Sequence, residues 1–156
     1  MTAKELGERM IAMTPTLYRI SRGLLCCEAD REDAVQSAIE KAWGKAARLR
    51  EPDKLRPWLI RVLINECHDI GRRKQREIPM ERLPDAAAQP DPGAELREAL
   101  RSLPERERVP LLLHYIEGFS IREIADTLRC PQGTVLSRMD RGRKLLRERL
   151  EGDELP

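Results

Sequence analysis

Thr134, Ser137, Arg138 and Arg141 crowd one stretch near the C-terminus, and their chemistry is that of recognition rather than bond making. An arginine guanidinium pairs bidentately with guanine in the major groove, and serine and threonine hydroxyls bond to bases or phosphates. Helical spacing sends these side chains outward from a stripe of Val135, Met139, Gly142, Leu146 and Leu150. A basic helix face can also be merely solvated. Here it follows a capping box, a small crossing residue and a turn, and the coincidence points to double-stranded DNA.

Other chemistry is poorly supplied. His68 and His114 each lack a second ligand or paired carboxylate at fitting spacing, and Cys26, Cys27, Cys67 and Cys130 lack the paired spacing of a zinc knuckle. Cys26 and Cys27 are vicinal, which strains a mutual disulfide, so they read as helix-end packing before they read as an oxidant sensor. There is no nucleophile and base set and no glycine-rich phosphate loop. The chain is therefore expected to be neither an enzyme nor a metal or cofactor carrier.

The elements that present the basic face are legible as a helix-turn-helix spanning about Ser120 to Arg149. Ser120-Ile121-Arg122-Glu123 has the Ser-x-x-Glu form in which each side chain satisfies an otherwise unpaired backbone donor at a helix start. Ile124, Ala125, Leu128 and Val135 fall at the internal contact positions, with Ala125 small where two helices cross and Val135 pinning the second helix from across the turn. Arg129 stands at the turn site where glycine is usual, so it must accept a positive φ or shift the turn by a residue.

Charged residues make up 36% of the 156-residue chain and aromatics only 3%, a composition suited to short amphipathic helices rather than sheets. An all-α protein is expected. Net charge is only +2, so the informative quantity is local: Arg72, Arg73, Lys74 and Arg76 form one basic run, and Arg138, Arg141, Arg143, Lys144, Arg147 and Arg149 another. Residues 78–93, with four prolines and two aspartates, break the apolar periodicity and read as an extended, flexible acidic linker. Two small helical modules, 1–77 and 94–156, lie on either side.

In the first module Asp30 is a candidate N-cap for a helix of about Arg31 to Leu49, whose stripe is Ala34, Val35, Ala38, Ile39, Ala42, Trp43 and Ala46. After a loop from Arg50 to Arg56, Pro57 suits a first helical turn, and Trp58, Leu59, Val62, Leu63, Cys67 and Ile70 trace a second stripe. Trp58 fits either core packing or a stacking platform. The opposite face carries Arg61, Asn65, Asp69 and Arg72. An earlier helical region, Lys4 to Leu25, closes the bundle, with Pro15 marking a kink or a fresh start. In the second module a helix from Ala94 to Leu103 precedes one from Pro104 to Glu117, which Pro110 should kink or interrupt and Gly118 should end.

Ser120 to Leu150 resembles region 4 of the extracytoplasmic-function sigma factors, the region that reads the promoter −35 element. Gly133-Thr134-Val135, Ser137-Arg138, Arg141 and Arg143-Lys144 carry the likeness, and Leu103-Pro104-Glu105 and Tyr115-Ile116-Glu117-Gly118 resemble its lead-in. Leu136 and Asp140 depart from it, standing where the family often has a lysine and a polar or basic residue. Asp30, Glu32-Asp33 and Val35-Gln36 resemble the start of region 2, and Pro57 to Asn65 followed by Asp69 and Arg72-Arg73 resembles its promoter-melting helix.

The resemblance implies a transcription-initiation subunit that partners core RNA polymerase and promoter DNA and is commonly held by an anti-sigma factor. It implies −35 contacts from Thr134, Ser137, Arg138, Arg141 and Lys144, and −10 contacts from Arg56, Arg61, Asn65, Asp69, Arg72 and Arg73. Asp33 and Gln36 would lie at the polymerase contact. The linker would thread the polymerase RNA exit path or serve as a tether. A stand-alone helix-turn-helix regulator, its first module sensing a ligand or dimerising, is the alternative; the second basic face from Trp58 to Arg73 argues against it. No segment approaches the roughly 20 apolar residues of a membrane span, and MTAKELGERM lacks a signal-like apolar run, so a cytoplasmic protein is expected.

Overall fold

The computed structural model describes residues 2–45, 48–49, 51–76 and 94–154. Among these residues every regular element is helical, and the chain divides into two compact units, Met1–Ala88 and Gln89–Pro156. The expected linker, 78–93, lies outside the described residues.

The first unit begins with α1 (Ala3–Ala12) and α2 (Thr14–Leu24). Thr2 and Glu5 form a capping box, each side chain accepting the other's backbone N–H at 3.2 and 3.1 Å. Pro15 marks a fresh start rather than a kink: α1 ends at Ala12, and Pro15 sits in the first turn of α2, where its missing N–H removes no helical bond. Leu17 and Ile20 of α2 are fully buried against α3 (Glu28–Lys45) and α4 (Leu55–Arg76).

Two expected boundaries in this unit move. The helix expected from Arg31 begins at Glu28; Arg31 N–H bonds to Cys27 O at 3.1 Å, so Asp30 is not the N-cap. Its carboxylate lies within the first turn and pairs instead with Lys74 of α4. The same helix is described as far as Lys45, and it does not extend to Leu49, which is not helical. The loop expected through Arg56 is also shorter, because a 3-10 turn over Pro52–Lys54 leads into α4 at Leu55, which makes Arg56 helical.

Ala34, Ala38 and Ala42 have no exposed surface and give α3 a small-residue stripe, and α4 is the element α3 packs against most extensively. Leu59, Ile60 and Leu63 of α4 are equally buried, each contributing about 1.5–3 kcal/mol of apolar transfer energy. Trp43, expected in the same stripe, is 51% exposed. One residue beyond Ala42 turns a side chain by about 100° around the helix, and Trp43 lies over Gly7 of α1, whose added Cβ would stand 3.3 Å from the indole.

The second unit comprises α5 (Ala94–Arg101), α6 (Glu105–Tyr115), α7 (Ile121–Leu128) and α8 (Gln132–Glu154). Pro110 does not interrupt α6. Burial of every residue from Val109 to Leu113 offsets the roughly 3 kcal/mol that an interior proline costs. The helix stops at Tyr115, and Gly118 takes a positive φ of 71° two residues past Ile116, which a side chain would resist.

Candidate nucleic-acid interface

The capping box at Ser120 is present as read. Ser120 Oγ accepts from Glu123 N–H at 3.1 Å and Glu123 Oε1 accepts from Ser120 N–H at 3.2 Å. Ile124 and Ala125 are buried on the inner side of α7. Arg129 accepts the left-handed conformation, φ 54° and ψ 51°, so the turn keeps its register. Its N–H and that of Cys130 both reach back to Ala125 O. Pro131 O then receives the N–H groups of Thr134 and Val135 at 3.0 and 3.2 Å, opening α8.

Val135 and Met139 have no exposed surface and Gly142 is buried, which fixes the rotation of α8. Gly142 is where α6 and α8 approach closely: an added Cβ would stand 2.5 Å from Leu111 Cδ1 and 3.3 Å from Glu107 Cβ. The opposite face presents Ser137, Arg141 and Lys144 to solvent, while Thr134 and Arg138 are half-buried at its flank. Leu136 and Asp140 are exposed beside them.

Two of the cations have partners that sequence reasoning missed. Glu107, with only 6% of its side chain exposed, lies 3.7 Å from Arg141. Arg143 donates to Tyr115 Oη at 2.8 Å, sits 5.7 Å from the centre of that ring and pairs with Asp140 at 3.0 Å.

In the first unit, Arg61, Asn65, Asp69, Arg72 and Arg73 share one face of α4, half-buried at Arg61 and exposed at the others. Arg56 is exposed in the first turn and Trp58 is half-buried beside it. The buried Glu66 of α4, also missed, pairs with Lys41 of α3. That hydrogen bond and the carboxylate charge raise the Lys41 pKa above the ordinary lysine value. Its spacing from Leu59, Leu63 and Ile70 was the available signal, since it falls on the apolar stripe. Asp33 and Gln36 are exposed on α3, and Gln36 borders an open groove lined also by Thr14, Tyr18, Val35 and Ile39.

His114 Nδ1 bonds to Phe119 O at 2.8 Å, a structural role at the end of α6. Among the described residues no three His, Cys, Asp or Glu side chains gather as metal ligands, and no helix is long and apolar enough to cross a membrane.

Known families match both units. A model described as Sigma-70 region 2 matches residues 11–77, and one described as Sigma-70, region 4 matches residues 93–146. The ECF RNA polymerase sigma factor SigE of Mycolicibacterium smegmatis is 36% identical over 86% of this chain, which spans 57% of that relative's length. The RNA polymerase sigma-E factor of Streptomyces avermitilis is 31% identical over 97% of this chain and 88% of its own. Among solved structures, the sigma factor RpoE from Bartonella quintana, crystallised with the anti-sigma factor NepR, superposes with a TM-score of 0.76 at 26% identity, covering 97% of this chain and 99% of that one. CnrH in complex with the cytosolic domain of CnrY gives 0.75 at 25% identity, covering 98% and 92%.

Proposed function

This chain belongs to the extracytoplasmic-function sigma factors of the sigma-70 family, and from that premise we propose how its two units divide promoter recognition and opening. Within the second unit, residues 94–156 read the −35 element through α8, with Ser137, Arg138, Arg141 and Lys144 in or beside the major groove and Thr134 at its edge. The observation that carries this assignment is the fixed rotation of α8. Val135, Met139 and Gly142 are locked inward, so Ser137, Arg141 and Lys144 have only the outward direction available.

Within the first unit, residues 1–77 engage the −10 element through Arg56, Arg61, Asn65, Asp69, Arg72 and Arg73. Opening a duplex requires cations along the displaced backbone and a place for an unstacked base, and the exposed face of α4 supplies the first of these. Asp33 and Gln36 on α3 belong to the contact with core RNA polymerase. Residues 78–93 join these two stretches, so two modest affinities combine through effective concentration. An anti-sigma factor is proposed as a further partner, since RpoE was crystallised with one. The family match over the first unit sets aside the stand-alone regulator. Work on RNA polymerase would place the protein in the cytoplasm, acting as a specificity subunit without catalysis of its own.

The test mixes the full chain with bacterial core RNA polymerase and a promoter library. Retention on core and initiation at defined start sites are expected. A chain that core never retains, with no defined start on any promoter, overturns the proposal.

A further inference from the structure

Charge and hydrogen bonding account for most of the outward face of α8, but not for Leu136. It is 46% exposed, whereas Leu111, Leu112 and Leu113 of the same unit have no exposed surface. Tyr115, another large exposed side chain of this unit, is engaged by Arg143. An exposed leucine is ordinary on a protein surface, and Leu96 of α5 is another, at 40%; what distinguishes Leu136 is its place.

Leu136 stands three residues after Gly133, next to Ser137 and one turn before Asp140, all of them exposed. Gly133 has no side chain, and a Cβ built there would meet nothing within 4 Å, so the preceding turn of α8 leaves open space beside Leu136. Asp140 would repel phosphate, yet its carboxylate is held by Arg143 at 3.0 Å. Leucine neither donates nor accepts a hydrogen bond. The apolar group that the base edges of the major groove offer is the C5-methyl of thymine.

Building on the −35 assignment, we propose that Leu136 is a specificity-determining residue that selects thymine at one position of the −35 element by packing on its methyl group. Its neighbours divide the work: Arg138 and Arg141 bond to bases or phosphates, and Leu136 favours thymine over cytosine, which presents no methyl there.

The holoenzyme, formed from the full chain and bacterial core RNA polymerase, tests this on a promoter recovered by selection. Each −35 thymine is replaced singly by deoxyuridine, which removes the methyl and nothing else. Binding by the wild type is expected to weaken about threefold to fivefold at one position, the effect of one methyl leaving an apolar contact. Leu136→Ala is expected to be indifferent to the exchange, and Leu136→Met to retain most of the sensitivity. Because the side chain is exposed, Leu136→Ala should melt like the wild type. A selected promoter without a methyl-sensitive thymine overturns the assignment, as does sensitivity that persists in Leu136→Ala. Failure to select any promoter sequence overturns the underlying sigma reading as well, and so differs from both.

Discussion

Glu107 of α6 lies 3.7 Å from Arg141 of α8, a carboxylate with 6% of its side chain exposed beneath a guanidinium with 70% exposed. The close crossing at Gly142 brings them together. If Arg141 contacts the −35 element as proposed, DNA would share or take it from an intramolecular partner. Glu107→Gln keeps the shape and removes the competitor, so binding to a −35 duplex should tighten about twofold to fivefold, in keeping with the roughly 0.2–1 kcal/mol of a solvent-accessible pair. Holoenzyme binding measured across a salt series checks this. Weaker binding would mean that Glu107 aims Arg141 instead of restraining it.

The two glycines of α8 should respond in opposite ways. Gly142→Ala drives a methyl to 2.5 Å from Leu111 Cδ1, and Leu111 is fully buried. A loss of about 1–3 kcal/mol is expected from overpacking. Gly133→Ala meets nothing within 4 Å and should be neutral or stabilising by up to about 1 kcal/mol through helix propensity. Thermal unfolding followed by circular dichroism separates the two.

Arg129→Gly should stabilise the second unit. Arg129 holds φ at 54°, a left-handed conformation that costs an L-residue about 1–2 kcal/mol, and glycine returns part of that gain as lost chain entropy. A net rise of about 0.5–1 kcal/mol is expected, read from chemical unfolding. No change would mean that the turn relaxes in solution.

Lys41 and Glu66 bind α3 to α4, and the Lys41 pKa is raised above its ordinary value of 10.5. A raised pKa in the folded state means that the contribution is complete below the unfolded value and disappears as pH climbs through the folded one. Lys41→Met should therefore lower stability evenly from pH 7 to 9, and the difference from wild type should shrink above 10.5. Both tryptophans, Trp43 and Trp58, lie in the first unit, so their fluorescence during urea unfolding reports on it alone. A difference that stays constant through high pH would remove the ion pair from the explanation.

Short-range chemistry was the legible part of this molecule. The Ser120 box, the positive φ at Arg129 and the inward set of Val135, Met139 and Gly142 all follow from residue type and local spacing. What escaped depends on neighbours distant in sequence. Pro110 stays helical because its surroundings are buried, Trp43 faces outward because three alanines already fill the α3 contact, and Asp30 finds Lys74 rather than its own helix N-terminus. Glu107 was hidden because α6 is buried nearly all round and shows no polar face against which a buried carboxylate would stand out. The exposed faces of α4 and α8 were readable as faces; which of their charges are held by partners was not.

Arg143 illustrates the difference between charges written in a sequence and charges that meet a polyanion. It is held by the Tyr115 hydroxyl and ring and by Asp140, and Arg141 is shared with Glu107. Six cations lie from Arg138 to Arg149, yet a duplex placed against Ser137 and Lys144, as proposed, would be neutralised by fewer of them. Counterion release scales with the phosphates actually neutralised. The ionic-strength exponent of −35 binding should therefore be that of a sparse contact, and sequence discrimination should survive salt that would strip a purely electrostatic binder from DNA.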